Sequence, residues 1–492
     1  MGIEVERTEF GEDEYRRFEG RLGECLEALA SMLARPSFGV GETTVGAELE
    51  VSLIDADARA LHRNHEVLAA SGDSRLTLEL DRFNLESNLQ YGALEGRPFS
   101  ALADECRFTL ADMNRAAAGQ GGRVACIGIL PTLRESDLAA DTMTDSPRYR
   151  ALSEGLRRLR QEPFDFDING LDTLRVQSDD VTFEGAATSF QIHLRVDPAA
   201  FAATYNAIQL ATAPVLAVAG NSPVFLGRRL WQETRIALFK QAVDSRRGRH
   251  GSGLEPRVSF GHRWIEGPLE LFEHNVRAHR PLLPVMDEEP PAECLRAGRI
   301  PRLRELRLHQ GTVWSWNRAI FDPTGGGHLR IEMRALPSGP SVPDMVANAA
   351  FHLGLAFALA GRKEGDHGSF EAAHRNFYRA AREGLDAELT WASEPGAPPA
   401  PFSAQALVEQ LLPLAQVGLE QMGVEPEEVA PLLATVERRS RTGRTGAAWQ
   451  LGALAAAEAR DDRWRALERM MQRYVELQRS GEPVDRWPEG CP

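Results

Sequence analysis

Two strand-like segments of this 492-residue chain, residues 45–51 and 327–334, carry charged residues two positions apart within apolar sequence. Because alternate residues of a β-strand point to the same face, the charges of each segment share one face. Proteins rarely bury such groups unless they pair with each other, with a metal or with a charged ligand. The pattern therefore predicts a sheet face that holds metal and phosphate, built from Glu48, Glu50, Arg330, Glu332 and Arg334.

The composition is typical of a globular protein, with 43% hydrophobic and 26% charged residues. The length allows two to four domains, or one large catalytic unit with an appended helical bundle. A net charge of -15 argues against a dedicated nucleic-acid surface, which would need a basic patch. The cysteines are widely spaced and form no C-x-x-C pair, which fits a reduced cytoplasmic protein: Cys25, Cys106, Cys126, Cys294 and Cys491.

Common membrane and nucleotide-binding motifs are absent from the sequence. Residues 1–7 contain no apolar signal core, and the longest apolar stretch, residues 346–360, is too short to span a bilayer. We therefore expect no membrane association and interpret that stretch as a buried core helix. No Walker phosphate loop and no G-x-G-x-x-G turn after a strand is present, so ATP, if bound, uses neither motif.

Strands and long helices alternate without a regular βαβ cadence, which predicts an α+β fold with a mostly antiparallel sheet. Strands are predicted at 44–54, 76–89 with a bulge, 123–130, 189–196, and in a hairpin of 311–321 and 328–335. Helices are predicted at 11–35, 100–119, 198–219 and 342–360, and throughout 403–479. A Pro-rich run divides the chain into a catalytic domain (1–390), a linker (391–402) and a C-terminal helical subdomain (403–492).

Six carboxylates in the predicted strands are candidate Mg²⁺ ligands, because hard divalent cations prefer oxygen donors. Any one of them alone is equally well explained as a solvent-facing residue on a half-exposed strand. As a set they favour a site, because clustered carboxylates repel each other unless something neutralises them. They are Glu48, Glu50, Glu79, Asp81, Glu86 and Glu332.

Arginine, histidine and tryptophan supply further candidates, each with a structural alternative. Arg235, Arg318, Arg330 and Arg334 can grip phosphate or carboxylate bidentately, or simply pair with neighbouring glutamates. His193 shares a strand face with Gln191 and is either a ligand or a core residue. Trp314 and Trp316 share a face and either pack in the core or stack on adenine, and Cys126 has no adjacent histidine to activate it as a nucleophile.

These segments together resemble the glutamate–cysteine ligase superfamily, in particular bacterial carboxylate–amine ligases and plant-type glutamate–cysteine ligases. The resemblance covers roughly residues 40 to 360 and is specific to the superfamily rather than to a substrate. It rests on the E-x-E of Glu48 and Glu50, on Glu79 and Glu86, on residues 188–193, on Asn221-Ser222-Pro223 with Gly227 and Arg235, on residues 311–318, and on Glu332-x-Arg334; residues 444–450 resemble a C-terminal helix start of many members. Gln191, His193 and residues 232–234 depart from the usual forms of the family. These departures leave the amine acceptor open more than they affect the implied fold.

The resemblance implies a glutamine-synthetase-like antiparallel sheet funnel backed by helices. It implies that ATP and a small-molecule carboxylate meet over Mg²⁺ on the concave face, giving an acyl phosphate that an amine converts to an amide. The implied metal ligands are Glu48, Glu50, Glu86 and Glu332, with Glu79, Gln191 and His193 as further contributors. Arg235 would grip the substrate carboxylate or the acyl phosphate, Arg334 would stabilise the transferring phosphoryl group, and Gln191, Trp314, Arg318 and Arg330 would contact the nucleotide.

Two other function classes stay open at this stage. A guanidino phosphotransferase also binds ATP through arginines but fits the E-x-E strand less well. A non-catalytic ATP-binding protein would bind nucleotide with magnesium and not turn it over. The sequence leaves the amine acceptor and the oligomeric state open.

Overall fold

The computed structural model describes residues 5, 7–248, 255–361, 368–394 and 396–490. Within these ranges an eight-stranded antiparallel sheet has the strand order β11-β12-β8-β1-β3-β2, with β4 and β5 also pairing with β1. The strands are β1 Thr44–Ile54, β2 Leu76–Leu78, β3 Asn84–Asn88, β4 Gly92–Ala93, β5 Arg123–Ala125, β6 Phe164–Asn169, β7 Thr173–Ser178, β8 Phe190–Val196, β9 Val224–Phe225, β10 Arg228–Arg229, β11 Asn317–Asp322, β12 His328–Met333, β13 Glu388–Trp391 and β14 Ala400–Ser403.

Helices account for most of the remaining ordered chain. They are α1 Glu12–Leu33, α2 Asn64–Ser71, α3 Pro98–Ala118, α4 Pro147–Arg160, α5 Thr182–Gly185, α6 Phe201–Ala219, α7 Arg235–Ala242, α8 Leu269–Ala278, α9 Pro291–Arg296, α10 Arg304–Gln310, α11 Val342–Ala360, α12 Phe370–Glu383, α13 Ala404–Gln421, α14 Pro426–Thr442, α15 Gly446–Glu458 and α16 Arg463–Arg479.

One face of the sheet is apolar and the other carries the charges. Alternate residues of β8 and β12 that face the core are fully or almost fully buried, and they belong to one contiguous core with the residues of α6 and α11: Phe190, Ile192, Leu194, Leu329, Ile331 and Met333. The expected α+β class, with an antiparallel sheet backed by helices, is confirmed. The two-residue period of the strands thus places the remaining side chains together on the opposite face.

The predicted strand and helix at 44–54 and 342–360 match β1 and α11 end to end. The single strand predicted at 76–89 is wrong, because a turn between β2 and β3 interrupts it. The strand predicted at 123–130 ends at Ala125, since the Cys126 amide and carbonyl are hydrogen-bonded to the Gln478 side chain instead of to a neighbouring strand. Residues 311–316 likewise lie outside β11, and the Trp314 and Trp316 amides bond to a loop at residues 257–259.

The C-terminal segment forms four helices, as its composition predicted, each new helix starting at a capping or turn residue. Ser403, Thr445 and Asp462 accept hydrogen bonds from the first turns of α13, α15 and α16. Within the predicted linker 391–402, the described residues include parts of β13 and β14, which pair with each other. The division into a catalytic domain (1–390) and a helical subdomain (403–492) stays a prediction.

Two of the described helices, Phe201–Ala219 and Val342–Ala360, are long and apolar enough to cross a membrane. Within the protein, 89% and 78% of their apolar windows are buried. Core helices of globular proteins meet the same criterion, so this finding is weak evidence for a membrane protein.

Helices α11 and α13 cross closely because glycines face each other at the contact. A Cβ atom at Gly418 would overlap the carbonyl oxygen of Gly354, and one at Gly354 would overlap the carbonyl oxygen of Ala415. The missing side chains let the two backbones touch. This contact joins the C-terminal helices to the helix behind the sheet.

We predict that Gly418→Ala lowers the free energy of unfolding by about 1–3 kcal/mol, because the added methyl group overpacks the helix crossing. The control is Gly452→Ala in α15, where a Cβ would meet no atom within 4 Å and helix propensity favours alanine by about 0.5–1 kcal/mol. Thermal and denaturant unfolding of both variants measures the difference. Equal stability of the two variants would refute the close-packing account.

Candidate active site

The register of the sheet brings the charged residues of four strands together on the polar face. Glu48 lies opposite Gln191 of β8, and Glu50 lies opposite Glu86 of β3. On the other side of β8, the neighbour of His193 is Glu332. The residues that the sequence predicted on separate strands are therefore adjacent in space.

At the centre of this face, an imidazole bridges two carboxylates. His193 Nε2 lies 3.1 Å from Glu48 Oε1 and 3.7 Å from Glu332 Oε1. Neither ring nitrogen of His193 has a hydrogen bond of good geometry among the described residues. Burial alone would raise the pKa of Glu48, but the neighbouring imidazole outweighs it and lowers that pKa to about 2.

Glu332 is held by two arginines and is only 2% exposed. Arg318 binds it bidentately, with Nε 2.6 Å and Nη2 2.9 Å from the two carboxylate oxygens. Arg334 Nη1 lies 3.4 Å away on the other side. Burial disfavours the charged carboxylate, yet Arg318, Arg334 and His193 together hold the pKa of Glu332 well below its usual range. Arg318 and Arg334 therefore pair with a neighbouring glutamate, which is the structural alternative for these arginines, and their contact with phosphate stays a prediction.

Glu50 is fixed by hydrogen bonds at both oxygens. Oε2 accepts from the Ser189 amide at 2.6 Å, and Oε1 accepts from Gln191 Nε2 at 2.7 Å. The other end of the Gln191 amide accepts from Arg334. Burial raises the pKa of Glu50 even though Arg334 and Arg235 favour its charged form. Gln191 therefore connects a carboxylate to the arginine predicted to stabilise phosphoryl transfer.

The carboxylates on the acidic side of the face repel one another. Glu86 accepts hydrogen bonds from Thr77 and Asn88, while burial and then the charges of Glu48 and Glu50 raise its pKa to about 8. Burial, together with Glu86 and Glu50, raises the pKa of Glu79 well above its ordinary range. Glu79 and Glu86 therefore lack enough positive charge beside them among the described residues.

Sequence reasoning missed Glu184, which lies in the short helix α5 immediately before β8. Its pKa is raised to about 7, by burial and by the charge of Glu50, and is partly offset by Arg334 and Arg148. A four-residue helix has no alternating pattern to mark an inward-facing side chain. Its proximity to Glu50 appears only once β8 is placed beside β1.

The donor set on this face fits a hard divalent cation such as Mg²⁺. Glu48, His193 and Glu332 each offer one ligand atom, and these atoms all lie within 4.8 Å of one another. Mainly carboxylate oxygens surround the position, as Mg²⁺ prefers, and a cation would relieve the repulsion that raises the pKa values of Glu79 and Glu86. When bound, such an ion neutralises phosphate charge and orients phosphate oxygens.

Arg235 lies beneath the arginine side of the face and is 4% exposed. Its guanidinium donates to Glu233 at 3.1 Å and to the main-chain carbonyls of Arg334 and Ala335. Glu233, which sequence reasoning did not select, also accepts from the Asn221 amide and the Ser222 hydroxyl. The predicted contact of Arg235 with substrate stays a prediction, and its described contacts hold the segment that carries Arg334.

A second polar chain connects this network to the C-terminal helices. Asn221 donates to the Tyr474 hydroxyl at 2.9 Å and accepts from Gln450 at 2.8 Å. The Tyr474 hydroxyl donates to the Cys126 carbonyl at 2.9 Å. Burial raises the pKa of the Cys126 thiol to about 12, so the cysteine is a poor nucleophile.

Three predicted candidates lie away from the carboxylate cluster. Trp314 is nearly buried and its ring packs edge-on against Phe239, which favours core packing over adenine stacking. Arg330 lies opposite Arg195 near the far end of the strand and pairs with Asp322 at 3.2 Å. Asp81 is fully buried in the turn between β2 and β3, with neither carboxylate oxygen hydrogen-bonded among the described residues. Burial and the nearby Glu184 raise its pKa well above the ordinary range, which disfavours the charged carboxylate that a metal binds.

Comparison with known proteins identifies relatives of this architecture. The sequence model of the family described as "Glutamate-cysteine ligase family 2 (GCS2)" matches residues 44–471. A curated protein of Rubrobacter xylanophilus, named "Putative glutamate–cysteine ligase 2-3", is 28% identical over 395 residues, which cover 78% of this chain and 86% of that protein. The range matched by the family model includes every strand of the polar face.

A solved structure shares the fold at much lower sequence identity. The crystal structure of glutamate–cysteine ligase from Francisella tularensis in complex with AMP aligns with a TM-score of 0.55 and 12% identity, covering 90% of each chain. At this identity the likeness concerns the fold alone. It agrees with the expected glutamine-synthetase-like sheet.

We predict that the metal-free protein loses stability as the pH rises from about 5 to 8. Glu86 and Glu184 have folded-state pKa values of about 8 and about 7, above the value of about 4.3 for a free glutamate. The folded protein therefore binds more protons than the unfolded chain in this range, and the free energy of unfolding falls with pH. Thermal unfolding across the range, with and without Mg²⁺, measures the effect, which the metal should reduce.

Glu86→Gln should flatten this pH dependence, whereas Glu468→Gln, at a surface ion pair with Arg59, should leave it unchanged. A metal-free protein whose stability rises steadily through this range would contradict the account of carboxylate repulsion.

Proposed function

The chain belongs to glutamate–cysteine ligase family 2 and is an ATP-dependent carbon–nitrogen ligase, and from that premise we propose that it joins the γ-carboxylate of glutamate to an amine through an acyl phosphate. The observation that carries this proposal is the charge arrangement of the strand face. Carboxylates and His193 fit Mg²⁺, while Arg318 and Arg334 stand directly beside them. Phosphoryl transfer needs positioning and neutralised charge more than a covalent nucleophile.

In the first proposed step, a carboxylate oxygen of the substrate attacks the γ-phosphorus of ATP and the bond to ADP breaks. Arg334 stabilises the charge of the transferring group, since its guanidinium is pre-aligned by Glu332 and Gln191. Burial disfavours its charge, but the surrounding glutamates raise the pKa of Arg334. The side chain therefore stays charged throughout the step.

In the second step, the amine nitrogen attacks the acyl carbon, inorganic phosphate leaves and the amine loses a proton to solvent or to a nearby base. The positions of Glu50 and Gln191 next to Arg334 support a role in orienting the acyl phosphate. Cysteine is our first candidate for the amine, because both the family description and the curated relative's name refer to that reaction. A cytoplasmic location and a role in glutathione-type thiol biosynthesis follow as parts of the same proposal.

The direct test is ADP release by the purified protein with ATP, Mg²⁺ and L-glutamate against a panel of amines that includes cysteine, with products identified by mass spectrometry. Amide formation with cysteine supports the full proposal. Turnover only with another amine keeps the chemistry and replaces the acceptor. A phosphorylated guanidine product, or nucleotide binding without turnover across the panel, would overturn the proposal in favour of one of the alternative classes.

We predict that Glu332→Gln abolishes ADP release, a fall of at least about 10³-fold, because the neutral amide leaves Arg318 and Arg334 without their shared carboxylate and removes a metal ligand. The matched control is Asp172→Asn, because Asp172 is also held bidentately by an arginine, Arg229, but lies outside the strand face. Steady-state ADP release measures both. An active, folded Glu332→Gln protein would exclude the proposed metal site.

We predict that Arg235→Lys lowers kcat about 10- to 100-fold. A lysine point charge cannot serve Glu233 and the two main-chain carbonyls at once, and each hydrogen bond of a charged group is worth about 1.5–3 kcal/mol. Arg229→Lys, at the surface pair with Asp172, is the control and should retain activity. Unchanged kcat in Arg235→Lys would show that Arg235 neither binds substrate nor positions Arg334.

A further inference from the structure

A second cluster of metal-ligating side chains lies outside the strand face. Glu255 Oε2 is 2.8 Å from His274 Nε2, and the rings of His262 and His274 stack with centroids 3.9 Å apart. One ligand atom from each of these three residues lies within 4.8 Å of the others. The ligand atoms of two imidazoles and a carboxylate thus lie close together outside the strand face.

The chemistry of this cluster differs from that of the strand face. Two imidazole nitrogens and one carboxylate oxygen suit a borderline ion such as Zn²⁺, whereas an oxygen-rich set suits Mg²⁺. A metal binds the neutral form of each imidazole and the charged form of the carboxylate. Arg263 is paired with Glu270 at 2.7 Å, which offsets the nearest positive charge.

Solvent can supply the remaining ligand of a four-coordinate ion, because Glu255 and His262 are exposed. A cavity of about 310 Å³ adjoins His262 and is lined by Gly261, His262, Phe370, Glu371, His374 and Arg375. Neither Glu255 nor His274 lines this cavity, so the cluster offers three protein ligands and a side that is open to solvent.

Residues 255–262 and helix α8, which carry the three ligands, contact the loop that leads into β11. The Trp314 and Trp316 amides donate to the carbonyls of Arg257 and Ser259, which lie between Glu255 and His262. Asn275, next to His274, donates to the Gln310 side chain at 2.6 Å. The Gln310 carbonyl in turn accepts from Arg318 at 3.4 Å. An ion bound at the cluster would hold together the two segments that support this loop.

We propose that Glu255, His262 and His274 form a second metal site, for a Zn²⁺-class ion, which braces α8 and residues 255–262 against the loop before β11. This site takes a different ion from the strand face and is separate from it. Its existence does not depend on the identity of the amine acceptor.

The test is a Zn²⁺ titration by calorimetry of metal-stripped protein in the Glu332→Gln background, with excess Mg²⁺ present, so that binding at the strand face is suppressed. We expect one tight Zn²⁺ per chain. His274→Gln should weaken that binding by at least about 100-fold, because even the outer-sphere partners of a metal ligand are worth about 10- to 100-fold. Glu255→Gln should also weaken Zn²⁺ binding. Because Glu255 is half-exposed, this variant keeps the test valid if His274→Gln misfolds.

The control is His374→Gln, a histidine that lines the cavity but is not one of the three ligands, and its Zn²⁺ affinity should equal that of the parent. Zn²⁺ should also raise the unfolding temperature of the parent and not that of His274→Gln. Equal Zn²⁺ affinity in the parent, Glu255→Gln and His274→Gln would overturn the proposal. Because none of these readouts requires turnover, a failed activity assay and a failed metal site remain distinguishable.

Discussion

The architecture depends on the burial of several carboxylates on one face of an antiparallel sheet. Glu332 is 2% exposed and Glu50 is 9% exposed, and each negative charge taken out of water must be compensated nearby. At Glu332 the chain itself supplies the compensation through Arg318 and Arg334. At Glu79 and Glu86 it does not, and the raised pKa values of these two residues reflect the missing positive charge. A divalent cation bound there would offset this deficit.

This division gives the face two chemically different halves. In the arginine half the carboxylate of Glu332 is already paired, and bidentate and charge-assisted hydrogen bonds fix the side chains. The carboxylate half has unpaired negative charge, which favours the binding of a metal ion. His193 stands on the boundary, within 4 Å of a carboxylate from each side. A phosphoryl group carried by a metal would therefore meet aligned arginines without reorganisation of the protein.

The C-terminal helices help to hold the residues of this site in place. A continuous set of hydrogen bonds leads from Tyr474 through Asn221 and Glu233 to Arg235, whose guanidinium holds the carbonyl of Arg334. Buried networks of this kind are costly when one member is left unpaired, so they specify one arrangement. Helix α16 thereby contributes to the placement of an arginine far away in sequence.

The sequence was sufficient to predict the residues whose pattern is local. The two-residue period identified Glu48, Glu50, Glu332 and Arg334 as sharing a face, and apolar length identified α11. It missed Glu184 and Glu233, because a short helix and a loop carry no period that marks the inward side. It joined β2 to β3 and extended β5, since the turn at Asp81 and the hydrogen bonds from Gln478 to Cys126 arise from contacts distant in sequence.

The most direct measurement uses glutamate labelled with a heavy oxygen isotope in its γ-carboxylate and follows the label during turnover with ATP and the accepted amine. If the carboxylate attacks the γ-phosphate on this face, one labelled oxygen appears in the inorganic phosphate for each amide formed. Turnover that yields amide with unlabelled phosphate would contradict the acyl phosphate and, with it, the proposed use of the strand face.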